Sequence, residues 1–474
     1  MIDIIDYLQR RLNRAYDLLS LRTVDFNNKP LPERKAVVTV EQHINQFLKS
    51  VSNSVKWLVM PGLRGVGKST LMAQIYLKLA NSQAKINLLH FSLEEVVNNL
   101  NSNLYEVLKA YEKILGEDLE ALKIPTFIFI DEVQIDPKWA RTLKTFYDNT
   151  SHIFFFCTGS SAVHLQMDAD IAGRRAYIEK LYPLSFVEFQ NIYHNQPIDA
   201  DLGQKIFQAI YYAQNPKDSY NRLKKLDSTM QTAWIKYSLN HLTTYLESGT
   251  LPLNYSQNNI VRMNHNIKAM LDKVINTDLR KIKQFEASSL TAINNLMSIL
   301  ADSNDIISVE KLSRILACSR NQIFSFLDAL NQTELLIKIS SQGNTVVNNR
   351  NPAKYLFMSP VIRNFYHGIA SERTKSMRQG LLLEDIAGLH FYKHFISIYE
   401  GNLTYGKDRQ TDFILQVNNG HKLAVEFGLG QKGGSQMEYT LQNTDCNWAI
   451  TFSNTPLQID NNCLFIPLKY FLLI

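Results

Sequence analysis

The stretch Gly62-Leu63-Arg64-Gly65-Val66-Gly67-Lys68-Ser69 decides the fold. It meets every fixed position of the pattern G-x-x-x-x-G-K-[ST]. An apolar run over 55–60 precedes it and reads as a buried strand. Residues 70–79 follow with apolar side chains at helical spacing. Strand, glycine loop, helix is the setting this motif needs. Its glycines let the backbone curl so that successive N–H groups point at a phosphate chain. The helix N-terminus adds a partial positive charge behind them. The expected phosphate-binding residues are Gly62, Gly65, Val66, Gly67, Lys68, Ser69 and Thr70. Lys68 is expected at the β- and γ-phosphates, and the Ser69 hydroxyl on Mg²⁺.

Working outward, Phe127-Ile128-Phe129-Ile130 reads as a central strand of a parallel sheet, ending in Asp131-Glu132. A carboxylate pair at the carboxyl end of such a strand suits a Mg²⁺ ligand, Asp131, and a water-orienting base, Glu132. Further strands are expected over 86–91 and 153–157, and helices over 92–115 and 139–147. The strand over 153–157 runs into Thr158-Gly159-Ser160-Ser161, whose hydroxyls are placed to meet the γ-phosphate or the attacking water. Arg174 and Arg175, after Gly173, offer a cation for charge developing on that phosphate, from this subunit or a neighbour, or else a surface pair. Alternating strands and helices give a three-layer α/β sheet with ligands at the strand carboxyl ends.

Residues 1–50 read as a helical segment, with helices over 6–21 and 40–51 covering the core. Residues 51–195 make the P-loop core, and 196–285 a helical lid interrupted by a turn over 244–252. Within 286–368, helices over 290–300, 309–316 and 320–330 are capped by Ser308 and Ser319, and a hairpin turns around Gln342-Gly343-Asn344. Three short helices and a hairpin resemble a winged helix-turn-helix. Its Arg314, Ser319, Arg320, Asn321 and Gln322 suit contact with DNA phosphates and base edges, although such modules also serve as packing lids. Residues 369–474 read as a helix over 380–395 followed by strands, the first two paired across Asn418-Asn419-Gly420.

Of 474 residues, 45% are hydrophobic and 20% charged, so each domain has a core to bury; the net charge of +6 permits nucleic acid without requiring it. The four cysteines show neither a C-x-x-C nor zinc spacing to histidine. The acidic start lacks the basic stretch of a signal peptide, and no apolar run reaches membrane-spanning length, so a cytoplasmic protein without membrane contact is expected.

The motifs at 62–69, Phe129-Ile130-Asp131-Glu132-Val133-Gln134, Trp139, Thr158-Gly159-Ser160-Ser161, Gly173-Arg174 and Leu181-Tyr182-Pro183-Leu184-Ser185-Phe186-Val187-Glu188-Phe189 stand in a familiar order. Tyr245, Leu246, Gly249, Pro252 and Asp278 extend it. The chain resembles the predicted AAA+-superfamily ATPases, near the archaeal-type and STAND branch, that carry a C-terminal restriction-endonuclease-like domain. The resemblance implies ATP binding and hydrolysis; read from their positions, Lys68, Glu132, Thr158 and Arg174 are the expected catalytic residues, with ATP and Mg²⁺ as cofactors. It also implies a second metal site from a helix Glu384, a strand Asp412 and a strand Glu426. There the chain departs from the family: two residues after Glu426 stands Gly428 rather than lysine, with Lys432 nearby. A nuclease-like fold kept for binding, with weakened or absent cleavage, is therefore expected. The expected function is an ATP-driven switch linked to DNA transactions or defence, with homo-oligomers and DNA as partners. The alternatives are a nucleotide-holding DNA scaffold without turnover and an ATP-gated nuclease.

Overall fold

The computed structural model describes residues 3–49, 55–160, 174–197, 199, 201–255, 257, 259–283, 285–303, 306–342, 352–370, 374–399, 402–406, 410–417 and 420–474. Ser161, Gly173, the hairpin tip at Gly343-Asn344 and the turn residues Asn418-Asn419 lie outside the described residues. The chain divides into two compact units, Met1–Tyr182 and Pro183–Ile474.

The first unit holds a five-stranded sheet. Its strands are β1 (Trp57–Pro61), β2 (Asn87–Ser92), β3 (Thr126–Asp131), β4 (Ile153–Gly159) and the short β5 (Tyr177–Ile178). They lie in the order β2-β3-β4-β1-β5, and every pair is parallel. Strands β1, β3 and β4 are buried throughout, as a sheet covered on both faces requires.

Side chains alternate between the two faces. Trp57, Val59, Ile128, Ile130, Phe155 and Cys157 pack with Leu8 of helix α1 (Ile4–Ser20). Val107, Leu108 and Tyr111 of α5 (Leu104–Leu115) and Trp139 and Leu143 of α6 (Trp139–Asn149) complete this layer. Phe127, Phe129, Phe154 and Phe156 point the other way. They meet Phe47 of α2 (Ala36–Lys49) and Tyr76 of α3 (Lys68–Ala80). Three layers result, helices on both sides of one parallel sheet.

The helix expected over 92–115 is two helices. The first, α4 (Leu93–Leu100), ends at Asn101, whose φ of 50° is left-handed. Asn103 then restarts the chain as the N-cap of α5, its side chain accepting from the Glu106 N–H. Asn is the non-glycine residue best suited to both tasks.

The second unit is helical from Phe186 to Gln332 among the described residues, and then builds a mixed eight-stranded sheet. The segment expected as a turn over 244–252 contains a wide helical turn, Tyr245–Gly249, that buries Tyr245 and Leu246. Ser308 caps Val309–Leu316, and Ser319 caps Arg320–Gln332 with a reciprocal bond from Gln322. Strands β6 (Leu336–Ser341) and β7 (Lys354–Phe357) pair antiparallel. Strands β8 (Leu403–Tyr405), β9 (Phe413–Gln416), β10 (Lys422–Phe427), β11 (Trp448–Ser453), β12 (Gln458–Asp460) and β13 (Cys463–Pro467) complete the order β12-β13-β11-β10-β9-β8-β6-β7. The hairpin shares this sheet, because β6 pairs with β8 at Ser340–Thr404 and Ser341–Tyr405.

A buried ion pair ties the helix Pro360–Ala370 to the helix Lys375–Phe391. Arg363 donates to Asp385 through Nε (2.6 Å) and Nη2 (2.8 Å), and its Nη1 reaches the carbonyls of Leu300 and Ala301. The Asp385 carboxylate also accepts from the Phe357 N–H at 2.9 Å. Burial pushes the Asp385 carboxyl up, against the pull of Arg363.

Candidate functional site

The first site is a product of sheet parity. In β3, Asp131 falls on the same face as Phe127 and Phe129; in β4, Thr158 falls with Phe154 and Phe156. That is the face covered by α3, whose first turn carries Ser69. The register pairs Ile130 with Cys157, so Asp131 and Thr158 stand one step further at the strand ends. The three side chains meet. Ser69 Oγ donates to Asp131 Oδ1 at 3.2 Å, and Thr158 Oγ1 donates to the same oxygen.

The loop between β1 and α3 bends through Gly65 (φ 84°) and Gly67 (φ 96°), a conformation that a side chain would strain. Lys68 is 7% exposed and donates to the carbonyls of Gly62 (2.8 Å) and Leu63 (3.1 Å). Thr70 follows in the first turn of α3, half-buried. The Val66 carbonyl accepts from Arg34 Nη1 at 2.7 Å, and Arg34 Nη2 reaches the Tyr182 carbonyl at 2.9 Å.

Glu132 leaves the strand with a left-handed φ of 57°. Such a backbone costs a non-glycine residue on the order of 1–2 kcal/mol and is found where geometry serves a site. Its carboxylate is held on both oxygens. Arg64 Nη1 lies 2.9 Å from Oε1, and Gln134 Nε2 donates to Oε2. Arg22 Nη1 lies 3.3 Å from Asp131 Oδ2. Motif reading missed Arg22 and Arg34, which sit in an irregular segment with no pattern of its own. Arg64 occupied a variable position of the loop pattern, and its charge there was the available signal.

Other expected residues fall differently. Ser160 is buried, and among the described residues its Oγ has no hydrogen-bond partner. Arg174 is exposed, and Arg175 makes a two-pronged contact with Asp148 of α6, at 2.7 and 3.1 Å. On β2, His90 is buried, and among the described residues neither ring nitrogen has a hydrogen bond. Burial, aided by the charges of Arg22 and Arg11, pushes its pKa down to about 3.

The donor set fits a nucleoside triphosphate with its cation. Lys68, Arg22, Arg34 and Arg64 outnumber Asp131 and Glu132, a balance suited to a polyanion. Ser69, Thr158 and Asp131 offer the hard oxygens that Mg²⁺ prefers.

The second unit gathers another cluster. Glu384 lies in the helix Lys375–Phe391, Asp412 just before β9, and Glu426 on β10. Asp412 accepts from the Phe427 N–H at 2.9 Å. Burial and the neighbouring Glu384 charge push its pKa up to about 6, against the pull of Lys354. Each glutamate has a lysine: Lys354 on Glu384, and Lys432 on Glu426 at 2.8 Å. Gly428 makes the second contact feasible, because a Cβ there would overlap Lys432 Cε. Glu426 Oε2 is buried, and among the described residues it has no hydrogen-bond partner. Among the described residues no three His, Cys, Asp or Glu side chains group closely enough to hold a metal ion as they stand, and Glu384, Asp412 and Glu426 are set out as lysine-paired carboxylates. Both glutamates act on Asp412 through their charge, so the three carboxylates and the two lysines share one electrostatic environment.

Among the described residues no helix is long and apolar enough to cross a membrane. Fold and pocket together define a P-loop α/β domain, and comparison places it. Residues 54–190 match the AAA_14 family, described as an AAA domain. The chain is 30% identical over 432 residues to the uncharacterized protein MJ1637 of Methanocaldococcus jannaschii, covering 90% of this chain and 86% of that one. The chain belongs to the family of that archaeal protein. Among solved structures it is similar to the Aeropyrum pernix Orc1 protein in complex with DNA, with a TM-score of 0.33 and 9% identity, over 74% of this chain and 96% of that one. It is also similar to domain III of the Thermotoga maritima replication initiation protein DnaA, with a TM-score of 0.26 and 14% identity, over 47% and 95%. Both are distant likenesses in shape.

Proposed function

We propose that the chain is an ATP-hydrolysing molecular switch of AAA+ type. The observation that carries this is the meeting of Ser69, Asp131 and Thr158 at the carboxyl ends of parallel strands, with Lys68 and Glu132 the chain neighbours of Ser69 and Asp131. When bound, Mg²⁺ supplies neutralising charge to the phosphates. Ser69 and Asp131 would hold it, with the Thr158 hydroxyl beside them to meet the γ-phosphate or the attacking water. The loop N–H groups bind the phosphate chain, and Lys68 exchanges its contacts with Gly62 and Leu63 for phosphate oxygens. Glu132 orients or deprotonates the attacking water. Arg174 serves as a charge-neutralising arginine from its own subunit or from a neighbour in a homo-oligomer. The test is phosphate release by wild type, Lys68→Ala and Glu132→Gln. Loss of turnover in both, with ATP still bound by Glu132→Gln, supports the switch; no release by wild type, with or without DNA, supports a nucleotide-holding scaffold.

A second reading concerns the other cluster. Helices 309–316 and 320–332 with the β6–β7 hairpin form the proposed winged helix, and Arg314, Arg320, Asn321 and Gln322 its DNA-facing residues. The sheet from β8 to β13 is the proposed nuclease-like domain. The observation that favours a working site is Lys432, which reaches Glu426 across Gly428 and supplies the ammonium that position 428 lacks. Plasmid incubated with Mg²⁺ or Mn²⁺, compared with Asp412→Ala, tests cleavage directly. Intact plasmid in all lanes leaves the domain a binding fold.

A further inference from the structure

Arg64 stands inside the phosphate loop, yet its guanidinium is bonded to the carboxylate opposite. The pair is largely dry, with 9% and 16% of the two side chains exposed, so solvent screens it weakly. Arginine keeps its charge at any working pH. If Glu132 orients water for attack on a terminal phosphate, that water lies between the two. A group 2.9 Å from Glu132 then stands within a side-chain movement of the phosphate as well. The terminal phosphate is the stronger anion, and the Arg64 fork matches its oxygens. Gln134 holds the second oxygen of Glu132, so the carboxylate stays oriented when Arg64 leaves.

We propose that Arg64 is a triphosphate-sensing residue: it exchanges the Glu132 carboxylate for the terminal phosphate of a bound nucleoside triphosphate. This rests on the nucleotide-binding reading above. With a diphosphate, Arg64 stays on Glu132 and the base is withheld from water. With a triphosphate, Arg64 moves and Glu132 gains a free oxygen. The exchange links the presence of substrate to the readiness of the base, within one subunit and without a partner.

Calorimetry of the full chain with Mg²⁺ and either ADP or the non-hydrolysable analogue AMP-PNP tests this. Glu132→Gln removes the carboxylate that competes for Arg64, so AMP-PNP binds at least about fivefold tighter while ADP is unchanged. Arg64→Gln weakens AMP-PNP by a similar factor and spares ADP, and Arg64→Lys, which keeps the charge and loses the fork, falls between. In the double variant the gain from Glu132→Gln disappears. A gain from Glu132→Gln that persists without Arg64 overturns the proposal, and so does an equal loss of both nucleotides in Arg64→Gln, which marks a merely structural role. Wild type that binds neither nucleotide defeats the pocket itself and the exchange with it. Wild type that binds both, with a ratio indifferent to Arg64, defeats only the exchange.

Discussion

The two units each set carboxylates against cations, and they do so by different means. In the first, Lys68 and Arg64 belong to one loop, and Asp131 and Glu132 to one strand end. In the second, Glu384, Asp412 and Glu426 come from three elements, and their lysines from two further positions, 354 and 432. A site written in contiguous residues is fixed once its loop and strand form. A site assembled from scattered residues depends on how a whole sheet is registered.

The largest effect should come from breaking the contiguous site. Lys68→Ala removes the buried ammonium and should abolish measurable triphosphate binding and turnover, read by calorimetry and phosphate release. Glu132→Gln should sharpen the comparison by separating binding from chemistry, with turnover falling about 10²- to 10⁴-fold while nucleotide stays bound.

The scattered site should instead respond to the buried ion pair behind Glu384, next to it in the chain. Arg363→Met leaves Asp385 buried and unpaired, which costs about 3–5 kcal/mol. Denaturant melts should show that loss, while triphosphate binding by the first unit persists.

Acid should act on the first unit through His90. Its folded pKa, near 3, lies below the unfolded value of about 6.5, so unfolded chains take up the proton first. Stability should be full above that unfolded value and fall by up to about 1.4 kcal/mol per pH unit as pH drops towards 3. His90→Phe should flatten the slope in melts across that window.

The smallest effect should follow Gly428→Ala. The new methyl group displaces Lys432 from Glu426 while the sheet stands. Any plasmid cleavage should drop, with little change in melting temperature.

How much the sequence disclosed follows the same division. The loop, β3 with its acidic end, and the capping serines are local patterns, and the folded chain places them as read. The arginines on Asp131 and Glu132 were not legible as such, because a contact between residues 22 and 131 has no local signature. Nor was the β6–β8 pairing, which depends on a register between residues more than sixty apart in the chain. The break at Asn101 escaped because the apolar spacing on either side is helical, and only the Asn-Ser-Asn sequence marked the stop.

The central claim is that Lys68, Ser69, Asp131 and Glu132 form one nucleotide pocket. Titration of the wild-type chain and Lys68→Ala with ATP and Mg²⁺ in a calorimeter tests it most directly. Saturable heat at about one site per chain, absent in the variant, is the predicted result. Wild-type heats that match the variant's, for adenine and guanine triphosphates alike, contradict it.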